Sequence, residues 1–153
     1  MTDTTTSHTA RRAHAVPSTP AVRRHRRDVA IWALAHGHAV QRDALAVIVA
    51  ARVDAAGNIS HRWTARGVGL VMWSGARSWC ERHGAAPPTE LGPTLATYLR
   101  YLSGHRLLEP GSDSPAVLRR AVSEHRGPES RSRANHPTAA PGRSAPVLPL
   151  GTG

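Results

Sequence analysis

The chain has 153 residues and a formal charge of +10, and every one of its 20 basic residues is arginine. That length holds one domain with a core of its own and excludes two of ordinary size. A lone cysteine, Cys80, excludes an intrachain disulfide or a multi-cysteine zinc site, and the longest apolar run, Ala44 to Ala51, falls far short of the roughly 20 residues that span a bilayer.

So basic a chain is drawn to polyanions, nucleic acid first and an anionic membrane surface next. Lysine and phenylalanine are absent beside abundant Ala, Arg, Gly and Pro. High-GC coding bias gives that pattern too, so arginine in place of lysine says little by itself about phosphate recognition. Low cysteine usage suits a reducing cytoplasm, and the N-terminus shows no apolar stretch of the kind a secretion signal needs.

Residues 1–25 read as a disordered basic arm, because Thr, Ser, His and proline offer too little apolar surface to offset the entropy of ordering them. An organelle transit peptide shares this Ser/Thr/Arg-rich, acid-poor composition; the arm is the reading adopted. The first helix is expected where Val29, Trp32, Ala33 and His36 recur at helical spacing, with His36-Gly37-His38 as its stop. A second is expected from about Gln41 to Asp54, with Leu45, Ile48, Val49 and Val53 on one face and a turn at Ala56-Gly57-Asn58. Thr64 is the expected N-cap of a third, which carries Val68, Val71, Met72, Ala76 and Trp79 to a stop at Gly84. Gly67, Gly69 and Gly75 weaken it unless a neighbour approaches closely there. In the fourth, Pro93 suits a first turn, and Leu95, Tyr98, Leu99 and Leu102 form a stripe before Gly104. The fifth follows the capping residues Ser112-Asp113-Ser114 and Pro115, turns Val117, Leu118, Ala121 and Val122 inward, and stops at Gly127. Residues 128–153 read as a disordered proline-rich tail. The fold class expected is therefore all-α, a small bundle of about five helices over residues 26–127 between two tails.

Residues 58–127 carry a run of features in a known order. Thr64 starts a helix with Trp73 inside it and Trp79-Cys80 near its end; Pro87-Pro88 and then Tyr98-Leu99-Arg100-Tyr101-Leu102 follow; Ser114-Pro115-Ala116-Val117-Leu118-Arg119-Arg120-Ala121-Val122 and His125 close it. This order resembles the N-terminal core-binding, SAM-like domain of tyrosine recombinases and phage integrases. The resemblance implies a helical clamp on the DNA backbone, with arginines of the last helix and of the Thr64 helix meeting phosphates. Those recombinases cut DNA with a second domain that bears a tyrosine nucleophile; here a proline-rich tail follows, so the resemblance implies binding without cleavage. A rival resemblance is to the winged-helix repressors, whose recognition helix and wing entry are similar to Leu95-x-x-Tyr98-Leu99-x-x-Leu102 and Leu107-Leu108-x-Pro110-Gly111.

Turning the apolar stripes inward leaves Arg62, Arg66, Arg77, Arg82, Arg100, Arg106, Arg119, Arg120 and Arg126 on polar faces. A guanidinium is a planar donor fork suited to phosphate, and Arg62, Arg66, Arg77, Arg100, Arg119, Arg120 and Arg126 are the expected contacts. The plain alternative is a solvated face whose charge is cancelled by nearby carboxylates. Trp63, Trp73 and Trp79 have the chemistry to stack on bases, but their spacing among valines favours the core. Cys80 with His83 one turn on, and His36-Gly37-His38, lack the further groups that a nucleophile or a zinc ion requires. No enzyme activity, cofactor or metal is expected. The expected partner is DNA, contacted mainly along its backbone and without a membrane role. The alternative is a protein-interaction adaptor that uses its helical surface or the tail segment Ala145-Pro146-Val147-Leu148-Pro149-Leu150.

Overall fold

Threonine followed by proline starts the first helix. In the computed structural model, which describes residues 19–125, α1 (Pro20–Ala35) has Thr19 as its N-cap, the hydroxyl accepting from the Val22 N–H at 3.3 Å. This corrects the boundary expected at residue 25, since residues 20–25 are helical. Burial is the reason: Val22 is 3% exposed in the core and His25 Nε2 lies 3.0 Å from the Tyr98 hydroxyl. The rest of the expected arm, the proline-rich tail and Arg126 lie outside the described residues.

Helix α2 (Arg42–Ala50) buries every residue from Ala44 to Val49, as a helix apolar all round must. It stops short of the expected Asp54. Val53 leaves the helix for an isolated antiparallel bridge with Ile59, and the Asp54 carboxylate closes the turn by accepting from the Ala56 and Asn58 amides at 2.9 and 2.8 Å.

Next, α3 (Ala65–Leu70), a π-helical turn (Val71–Gly75) and α4 (Ala76–His83) run on as one rod. Thr64 caps it as expected, accepting from Gly67 N–H at 3.1 Å, and Gly84 ends it with φ +60°. Its mid-helix glycines answer to close neighbours. A Cβ on Gly69 would lie 2.8 Å from His125 Nε2, and one on Gly75 would lie 3.2 Å from the Leu70 carbonyl. The Ser74 hydroxyl donates to that same carbonyl at 3.1 Å, where the ladder widens into the π turn.

Helix α5 (Leu91–Gly104) buries the whole expected stripe of Leu95, Tyr98, Leu99 and Leu102. Helix α6 (Pro115–Glu124) is capped by Ser114, buries Leu118, Ala121 and Val122, and leaves Arg119 and Arg120 exposed. The fold is thus an all-α bundle of five rods. α5 sits at its centre against α1, α2 and α6, while α6 also covers α3 and α2 also meets α4. Among the described residues there is no strand, so no wing follows α5. Instead the α5–α6 loop is tied to the segment before α3: Glu109 accepts from the His61 amide at 2.6 Å, Ser112 from Trp63 at 3.1 Å and Asp113 from Ala65 at 2.7 Å. No described helix is long and apolar enough to cross a membrane.

Candidate nucleic-acid interface

Whether an arginine can meet a phosphate depends first on where the carboxylates go. Asp54, Glu109 and Asp113 each accept from backbone amides at the turns just described. Two of the expected contacts do have carboxylate partners: Arg77 pairs with Glu81 at 2.9 Å and Arg120 with Glu124 at 2.7 Å. Both pairs are one helical turn apart and largely exposed, an arrangement that stabilises by about 0.3–0.5 kcal/mol and yields readily to a competing anion.

The remaining expected residues sort by element. Arg66 is exposed on α3, and exposed Arg62 lays its guanidinium along Gly111, where a Cβ would meet Nη2 at 3.2 Å. Arg100 of α5 and Arg119 of α6 line a cavity of about 220 Å³ together with Ser103, Leu99 and Leu118. Here the structure brings two of the expected arginines to a single cavity.

A denser cluster escaped the sequence reading. Arg23, Arg26 and Arg27 of α1 and Arg42 of α2 line an open cavity of about 340 Å³ whose apolar wall is Ala30 and Leu45. Arg26 is half-buried; burial pushes its guanidinium below the ordinary arginine value, and Asp43 draws it only partly back. The signal was present in the sequence as a Thr-Pro helix start followed by arginines at i, i+3 and i+4. Assigning residues 20–25 to a disordered arm hid it.

Arg52 has a different role. It lies over the Trp63 ring, 4.9 Å from the centroid, and its Nη2 donates to the Ser60 hydroxyl and the Arg62 carbonyl. Trp63 and Trp79 are core residues, whereas Trp73 is 71% exposed, its indole N–H donating to His125 Nδ1 at 3.2 Å. Cys80 is buried, which pushes its thiol up, and His83 Nδ1 lies 2.8 Å from the Trp79 carbonyl instead of serving the sulfur. His36 Nδ1 likewise lies 2.8 Å from the Trp32 carbonyl. Among the described residues no three His, Cys, Asp or Glu side chains are grouped as metal ligands. Comparison with protein-family models, with curated proteins and with solved structures found no match for this chain.

Proposed function

We propose that this chain binds duplex DNA through its phosphate backbone, without chemistry of its own, by means of arginines on its helical bundle. The observation that carries the reading is that Arg100 and Arg119, from two different helices, line one cavity together with Ser103. Two forks and a hydroxyl on a rigid two-helix wall are what backbone contact uses, and such contacts set position without reading sequence. The order of features shared with the core-binding domains of tyrosine recombinases supports the same reading, and a link to a mobile element or recombination system would follow from it. A buried thiol held protonated and a His83 engaged by the backbone supply no nucleophile, which supports a binding role.

The test is binding to random-sequence duplex across a salt series starting near 50 mM, where phosphate contact makes affinity fall steeply as salt rises. The R100A/R119A double variant is expected to weaken binding on every sequence alike and to flatten the salt slope by about 2. Undetectable binding at low salt, or affinity independent of salt, overturns the reading.

A protein-interaction adaptor has one observation in its favour: Ile31 and Leu34 on α1 are 60% and 83% exposed. On that reading I31S/L34S abolishes capture of a protein partner while leaving DNA affinity unchanged.

A further inference from the structure

Arg23, Arg26, Arg27 and Ala30 stand at i, i+3, i+4 and i+7 on α1, so they share one face, and Arg42 and Leu45 of α2 close the cavity from the other side. Like charges at these spacings repel, and a folded chain keeps them adjacent at a cost in stability unless an anion lies between them. Asp43 is the carboxylate that acts on Arg26, one charge against Arg26, Arg27 and Arg42, while Asp28 acts on His25 and Tyr101. The ion pairs Arg77–Glu81 and Arg120–Glu124 do not involve Arg26, Arg27 or Arg42. Ala30 and Leu45 make one wall apolar, which keeps water from that side and strengthens attraction within the cavity.

We propose that this cavity is a binding site for a multiply charged phosphate group of the diphosphate class, gripped by Arg26, Arg27 and Arg42. Three guanidinium forks exceed what a single carboxylate can satisfy, and they match a group presenting several tetrahedral oxygens. The space also fits: about 340 Å³ corresponds to roughly ten waters of about 30 Å³ each, room for two phosphoryl groups that keep part of their hydration. Leu45 and Ala30 leave the face of the ligand opposite the arginines without a polar partner, so a compact anion is preferred over a long polar one. The proposal does not depend on Arg100 or Arg119, which lie at the cavity between α5 and α6. The same chemistry has two sources, a free diphosphate and adjacent phosphates of a polynucleotide.

The experiment is titration calorimetry of the full chain with inorganic pyrophosphate, with inorganic phosphate and with chloride at matched ionic strength. Pyrophosphate is expected to bind about tenfold or more tightly than phosphate, and R26Q/R42Q to weaken it by about tenfold or more, as loss of two charge-assisted contacts requires. R100Q/R119Q is expected to leave it unchanged. Arg42 is exposed at the start of α2, so R42Q alone serves if the double variant melts early. Absence of binding, an equal loss in R100Q/R119Q, or unchanged affinity in a folded R42Q overturns the site. Competition by duplex DNA assigns the polynucleotide source, and its absence assigns the free diphosphate. Pyrophosphate binding in a chain that ignores DNA would refute the DNA reading and leave this site standing.

Discussion

His25 and His61 stack with ring centroids 5.0 Å apart, and their surroundings favour the neutral form of both. For His25 the main cause is burial, helped by His61 and opposed by Asp28; for His61 it is burial again, with Arg52 helping and Glu109 opposing. Each folded value therefore lies below the ordinary 6.5. The neutral state is the one the fold binds better, so this contribution is whole above that value and is lost as pH falls through it towards the folded values. The expected outcome is a melting temperature that is level above neutrality and drops as pH falls below about 6.5, with a smaller drop in H25Q/H61Q. An equal drop in that variant would place the acid sensitivity elsewhere. The neighbouring Tyr98 hydroxyl, pushed up by burial, stays a phenol and can donate to neutral His25 Nε2. This cluster was not legible in the sequence. Nothing in the spacing of His25, His61 and Tyr98 says that three separate segments meet, whereas Thr64 and Ser114 announce their caps locally and the structure uses both.

At the scale of elements, three helices carry an aromatic residue in the last turn or two with a histidine four places on, at or next to the helix end. The ring pairs are Trp32–His36 at 4.5 Å, Trp79–His83 at 4.2 Å and Tyr101–His105 at 4.5 Å. In the first two, the histidine Nδ1 also lies 2.8 Å from the carbonyl of its aromatic partner. The Trp32 carbonyl already accepts from the His36 amide at 3.1 Å, so the imidazole adds a second contact at the helix end while its ring covers the aromatic face. H36A and H83A are each expected to lower stability by about 0.5–1 kcal/mol, measured by urea unfolding, with asparagine recovering less than half because it cannot stack. Where apolar periodicity was strong, as in α5, the helices were legible. It misled at the end of α2, where Val53 continues the helical spacing but is drawn off by the bridge to Ile59. It was silent at the start of α1, where Val22 is the sole apolar side chain in the core before Val29. The cavity at Arg100 and Arg119 was half legible: both residues were expected on the surface, and only the packing of α5 on α6 shows that they meet.

For the molecule as a whole, the boundary of the folded unit is the decisive question, because the arginine cavity exists only if α1 is part of it. The first turn and a half of α1 makes three separable contributions. The Thr19 cap is worth about 1 kcal/mol, and the T19A variant is expected to lose that amount on its own. Burial of Val22 adds about 1.5–2 kcal/mol. The contact between His25 and the Tyr98 hydroxyl adds roughly 1 kcal/mol more. A bundle of this size is held by about 5–15 kcal/mol in total, so their combined loss removes a large share of its stability. A chain beginning at residue 19 is accordingly expected to melt at the temperature of the full protein and to retain pyrophosphate binding. One beginning at residue 27, which lacks Thr19, Val22, His25, Arg23 and Arg26, is expected to melt far lower and bind none. Calorimetric melting of the two truncations decides the matter. Equal melting temperatures would mean that the bundle stands without the start of α1, and that the arginines there decorate the fold without being held by it.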